Sequence, residues 1–67
     1  MEVINDRMRY VGEPVTLIID ITLVRATIVD IEFETGVGPI FLLDAGRIKF
    51  WLNRKQLREY EVRTDNN

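Results

Sequence analysis

The stretch VTLIIDITLVRATIVDIEF, residues 15–33, decides the fold. Aliphatic and polar residues alternate through it, which is the period of a β-strand with one buried face. The predicted inward residues are Val15, Leu17, Ile19, Ile21, Leu23, Val29, Ile31 and Phe33. Arg25 and Thr27 interrupt this face, so we expect a bend, a bulge or a tight turn over residues 24–27. The pattern leaves open one long bent strand or two paired strands.

Shorter segments follow this stretch. Residues 35–39 (TGVGP) predict a hairpin loop, residues 40–43 a short strand, and residues 44–47 a tight turn in which Gly46 supplies a positive φ. Residues 48–52 alternate again, with Ile48, Phe50 and Leu52 inward and Lys49 and Trp51 outward. Asn53 is a predicted N-cap for one helical turn ending at Leu57. Tyr60 and Val62 then predict a last short strand.

These elements predict one all-β domain over residues 1–67, built as a small, strongly bent five-stranded barrel with one short helical turn before the last strand. Residues 1–13 would add an edge strand or cover the barrel mouth, and residues 64–67 would form a frayed tail. The competing arrangement is a two-sheet half-sandwich that a dimer partner completes.

Composition limits the function classes. The chain has 67 residues and no Cys, His or Ser, so a disulfide, a structural zinc site, the commonest general base and two common nucleophiles are missing. We therefore expect no enzyme activity, no cofactor and no metal. With 30% charged residues and no apolar run near the length of a bilayer span, we expect no membrane segment. The start of the chain lacks the pattern of a secretory signal, which favours a cytoplasmic location.

Two local patterns invite a chemical interpretation. The outward carboxylates Asp30, Glu32 and Glu34 form a row that is typical of an exposed, edge-protecting surface rather than of an acid–base pair. The Gly36-Val-Gly38 loop lacks the third Gly and the Lys-Ser/Thr of a phosphate-binding loop, so it predicts a hairpin.

The ending FWLNRKQL, residues 50–57, follows a Gly-containing turn and precedes a short strand. It resembles the closing segment of small barrels of the Src-homology-three-like type, and it is similar to small phage-encoded barrel proteins whose stretch reads aromatic-aliphatic-Pro-basic-x-Gln-aliphatic. The resemblance covers residues 40–62, and Asn53 stands where those proteins commonly have Pro. The predicted barrel is of the Src-homology-three-like or OB-like type. The resemblance implies a non-catalytic binding module, which could be phage-encoded and then act in the host cytoplasm.

Two functions are consistent with these observations. The first is a protein-binding module, acting as an adaptor, an inhibitor or a subunit of a homo-oligomer, most simply a dimer, through apolar residues predicted to face outward: Trp51, Ile18 and Ile28. The second is a barrel for single-stranded nucleic acid. It would stack bases on Trp51 and bind phosphates through a basic cluster in the acidic chain, formed by Lys49, Arg54, Lys55 and Arg58 with Arg47 nearby.

Overall fold

The computed structural model describes residues 8–62, which form one antiparallel sheet and one short helix. The strands are β1 (Pro14–Ile19), β2 (Thr22–Glu34), β3 (Gly38–Asp44) and β4 (Lys49–Asn53), and the helix is α1 (Arg54–Tyr60). The sheet order is β1-β2-β3-β4. Within residues 8–62, no helix has the length and apolar character needed to cross a membrane.

The first turn lies earlier than the sequence predicts. β1 and β2 are two paired strands joined by the two-residue loop Asp20-Ile21, and Ile19 pairs with Thr22 across it. The predicted turn over residues 24–27 is therefore wrong, because these residues lie inside β2. Asp20 makes the turn with a φ of 60°. Asp is one of the few residues other than Gly that adopt this left-handed conformation at modest cost.

Because of this turn, the first half of β2 turns toward the core the residues that the sequence predicts to face outward. Cross-strand partners share a face of a sheet, so pairing Val15 with Ala26 and Leu17 with Val24 turns the even positions of β2 inward. Ile28 is consequently in the core with 0% of its surface exposed, whereas Ile21 is 96% exposed in the loop. The predicted inward positions of Ile21 and Leu23 are wrong, as is the predicted outward position of Ile28.

A β-bulge at Val29 restores the predicted faces from Asp30 onward, although Val29 itself is 37% exposed and its predicted inward position is wrong. The pairing with β3 shifts by one residue between Ile28 and Asp30. Beyond it Ile31 pairs with the buried Phe41, while the carboxylates of β2 point to the opposite face. Phe33 is on the inward face yet largely exposed, because β2 and β3 continue past the core at this end.

The core lies on one face of the sheet, where α1 covers it. Its buried members are Val15, Leu17, Ala26, Ile28, Phe41, Leu43, Leu52 and Leu57. In β4 the predicted alternation is confirmed for Leu52, which is buried, and for Phe50, which packs against the core. Ile48 is largely exposed because it lies in the turn before β4.

Helix α1 begins where the sequence predicts. The Asn53 side chain accepts a hydrogen bond from the Gln56 backbone N–H (2.7 Å), and the Gln56 side chain accepts one from the Asn53 N–H (3.0 Å). This reciprocal arrangement is a capping box. The helix is longer than the single predicted turn, since it runs to Tyr60. The turn at Gly46 is also confirmed, with a φ of 100°.

The all-β class is confirmed, but the closed five-stranded barrel is wrong for the described residues. The sheet is open and has four strands. Because α1 takes up Tyr60, the predicted last strand reduces to one bridge between Glu61 and Leu17 and one hydrogen bond from the Val62 N–H to the Thr16 carbonyl (2.9 Å). The expected roles of the chain ends fall mainly on residues 1–7 and 63–67, which lie outside the described residues.

Candidate protein-interaction surface

The face of the sheet opposite α1, here called the outer face, carries rows of side chains that run across β2, β3 and β4. The register aligns Asp30 of β2 with Leu42 of β3 and Trp51 of β4. In the next row of the sheet, Glu32 lies beside Ile40. In these two rows the outer face is acidic on β2 and apolar on β3, and the first row continues to Trp51 on β4.

Trp51 is the largest side chain of this apolar area. It alternates with the inward Phe50 and Leu52 and is 44% exposed. Its neighbours Leu42 and Ile40 are half-buried. We call Ile40, Leu42 and Trp51 the Trp51 patch. An indole over aliphatic side chains at the edge of a sheet combines a large apolar surface with one hydrogen-bond donor, which is the composition of many interface centres.

Some backbone N–H and C=O groups of β4 point away from β3, toward the outer edge of the sheet. The Ala45 N–H donates to the Ile48 carbonyl (2.9 Å), which makes this pair the first hydrogen-bonded pair of the β3–β4 hairpin. Hydrogen-bonded pairs alternate along an antiparallel ladder, so Phe50 and Leu52 bond to β3. The N–H and C=O groups of Lys49 and Trp51 therefore point away from β3.

The structure does not bring the predicted basic cluster together with Trp51. Lys49 lies on the outer face opposite Asp44 and next to Trp51 in its row. Leu57 fixes α1 on the core face, so the exposed helix residues Arg54, Lys55 and Arg58 lie on the other side of the sheet. Arg47 is exposed in the turn between β3 and β4. Of the predicted basic cluster, Lys49 alone shares the outer face with the indole.

The two predicted aliphatic contact residues also separate. Ile28 is in the core, as described above. Ile18 is exposed on the outer face and pairs with Leu23. That pair lies beyond the end of β3, which stops at Asp44 opposite Thr27, so it is not continuous with the Trp51 patch.

An ion-pair cluster that the sequence analysis did not single out joins three segments of the chain. Arg9 contacts Glu13 through a 2.6 Å salt bridge, and it also pairs with Glu61. Glu13 is only 3% exposed. Burial acts to lower the pKa of Arg9, but the hydrogen bonds and charges of Glu61 and Glu13 outweigh it, so the pKa lies above its ordinary value. We call Arg9, Glu13 and Glu61 the Arg9 cluster.

Residues 8–62 contain no group of three or more acidic, His or Cys side chains placed to hold a metal ion. No protein-family model, no curated protein and no solved structure matches the chain.

Proposed function

We propose that this protein is a non-catalytic binding module that acts through a protein interface centred on the Trp51 patch, as a subunit of a homo-oligomer. The observation that supports it is the 44% exposure of Trp51 above half-buried Leu42 and Ile40. The exposed part of such an indole amounts to roughly 100 Å², and covering it is worth about 2.5 kcal/mol before any neighbour is counted. Exposed apolar area that is continuous around an aromatic residue is typical of interfaces.

The charges around the patch support a protein partner rather than a nucleic acid. Asp30 and Glu32 adjoin the patch on β2, and their carboxylates would repel a phosphate backbone. Lys49 adjoins it on β4 and supplies the opposite sign. An apolar centre with a polar rim of both signs is the usual composition of a protein–protein interface.

The competing function is binding of single-stranded nucleic acid. It requires cations along one continuous surface with the aromatic side chain. The placement of Arg54, Lys55 and Arg58 on the helix side of the sheet gives this function less support than self-association has. A titration of labelled single-stranded DNA and RNA at low salt separates the two. Saturable binding that weakens steeply with salt and is lost in Trp51→Lys would favour the nucleic-acid function.

The direct test of self-association is sedimentation equilibrium over a micromolar concentration range. We expect the wild type to exceed the 7.9 kDa mass of one chain. Trp51→Lys should return the mass to that of one chain without unfolding it, because a charge then occupies the centre of the interface. Trp51 is the only Trp of the chain, so its emission should shift to the blue with rising concentration.

Ile21→Lys is the matched control. It also replaces an exposed apolar residue by Lys, but in the β1–β2 loop, away from the patch. This variant should keep the mass of the wild type. A wild-type mass of 7.9 kDa at all concentrations would refute the proposal, and dissociation by Ile21→Lys alone would place the interface at the first hairpin instead.

A further inference from the structure

We propose that the partner is a second copy of this chain, joined through β4 so that the two β4 strands pair antiparallel about a two-fold axis at Phe50. This inference rests on the proposed function and specifies its geometry. It predicts one continuous eight-stranded sheet, with the two Trp51 patches on the same face.

The two edges of the sheet differ in what lies beside them. β1 is flanked by the segment after α1, through the Glu61–Leu17 bridge and the Val62 to Thr16 hydrogen bond. β4 is the opposite edge, and no strand among residues 8–62 pairs with its outer side. An edge strand with outward N–H and C=O groups is a template for another strand.

Few backbone groups are available on this edge, and they restrict the register. The groups that point outward belong to Lys49, Trp51 and Asn53. The Asn53 N–H is already bound to the Gln56 side chain in the capping box. Outward groups of the two copies meet only when the axis passes through a residue and not between two residues. The axis can then lie at any residue from Lys49 to Asn53.

Only the axis at Phe50 uses the available groups fully. An axis at Lys49 places this ammonium group opposite its own copy, which is unfavourable. An axis at Trp51 pairs Lys49 with Asn53, and an axis at Leu52 pairs Trp51 with Asn53. An axis at Asn53 pairs that residue with its own copy. All three need the Asn53 N–H, which is already bound to the Gln56 side chain. An axis at Phe50 pairs Lys49 with Trp51 of the second copy, twice by symmetry, and forms four backbone hydrogen bonds.

Side chains also match in this register. On the core face Phe50 meets Phe50 of the second copy, and Ile48 meets Leu52. On the outer face the Lys49 ammonium lies beside the indole of the second copy, where a cation is attracted to the ring face. Ile48, which is 62% exposed in the single chain, would be partly covered by this contact.

The chain has no Cys, so single Cys substitutions report the register directly. Residues on the axis at Phe50 would form a non-hydrogen-bonded pair with Cα atoms about 4.5 Å apart, within the range of a disulfide. Under mild oxidation we expect Phe50→Cys to form a covalent dimer at least tenfold faster than Lys49→Cys or Trp51→Cys. In those two variants, the introduced Cys residues of the two copies lie two positions apart along the paired strands.

A second measurement needs no substitution. In the wild type, amide hydrogen exchange of Lys49 and Trp51 should slow at least tenfold from low to high protein concentration, because their N–H groups become bonded in the dimer. Fastest cross-linking of Lys49→Cys or Trp51→Cys would overturn the register. An oligomer by mass with neither cross-linking nor slowed exchange at β4 would overturn the strand pairing and leave the proposed function intact. A monomeric wild type would overturn both.

Discussion

At the scale of single residues, Asp20 determines which side chains enter the core. It closes the β1–β2 turn with a φ of 60°, and the two-residue loop fixes the pairing that turns Ile28 inward. Had the turn contained one more or one fewer residue, the opposite face of β2 would have been selected. A single backbone conformation thus decides the inward set of the first half of β2.

Substitutions at Asp20 test this role. Asp20→Gly should change the free energy of unfolding by less than about 1 kcal/mol, because Gly adopts positive φ freely but loses more entropy on folding. Asp20→Val should lower it by about 1–2 kcal/mol, since a β-branched residue is strained there. Urea denaturation measures both. Thr22→Val is the control at an ordinary φ. Equal stability of the Val and Gly variants would show that the turn does not lie at Asp20.

At the scale of elements, α1 depends on its cap. The helix has seven residues, buries Leu57 and has no acidic residue in its first turn. Helices this short are marginal without capping and packing. Asn53→Ala should therefore lower the free energy of unfolding by about 1 kcal/mol.

Variants of Gln56 provide the comparison for the cap. Gln56→Ala removes one of the two reciprocal bonds and should cost less than Asn53→Ala. Gln56→Glu keeps the acceptor and adds a negative charge near the helix N-terminus, which should preserve or raise stability. Urea denaturation followed by far-ultraviolet circular dichroism ranks the three. A neutral Asn53→Ala would mean that packing of Leu57 alone holds α1.

Elements with a local signal were predictable from the sequence, and those set by long-range pairing were not. Gly46 and Asn53 indicated the second turn and the start of α1, because each residue type suits that conformation. Asp20 gives a weak turn signal, so the sequence predicts the first turn too late in the chain. The predicted faces of the first half of β2 are therefore reversed, and Ile28 is predicted outward although it lies in the core. Trp51 was predicted outward correctly because β4 follows a well-marked turn. The separation of Lys49 from the helix cations depends on how α1 packs, which local patterns do not report.

At the scale of the whole molecule, the Arg9 cluster connects the beginning and the end of the described chain. Arg9 and Glu61 are 52 residues apart in sequence, and Glu61 also bridges to β1. No sequence pattern indicates a pair at that separation. The raised pKa of Arg9 means that its contribution to stability is complete below its ordinary pKa and is lost only at higher pH, as the guanidinium deprotonates.

Removal of the guanidinium should therefore destabilise the fold. Arg9→Met should lower the free energy of unfolding by about 1–3 kcal/mol, because the nearly buried Glu13 loses a charged hydrogen-bond donor. Arg25→Met is the matched control, since Arg25 is exposed on β2, and it should stay within about 0.5 kcal/mol of the wild type. Thermal unfolding at neutral pH compares them. Equal melting temperatures would show that the Arg9 cluster adds nothing to stability.

Because of the bulge at Val29, β2 should tolerate the deletion of one residue at this place better than elsewhere in the strand. Without Val29, Ile28 would still point inward and Asp30 outward, and the strand would simply run straighter. Without Ile28, Val29 would take the inward place at the cost of one methylene group. Without Val24, by contrast, either Arg25 turns into the core or the two-residue turn at Asp20 is lost. The bulge therefore supplies one extra aliphatic residue next to Ile28, the most buried residue of β2. A deletion of one residue should preserve the fold at the bulge but not near the first turn.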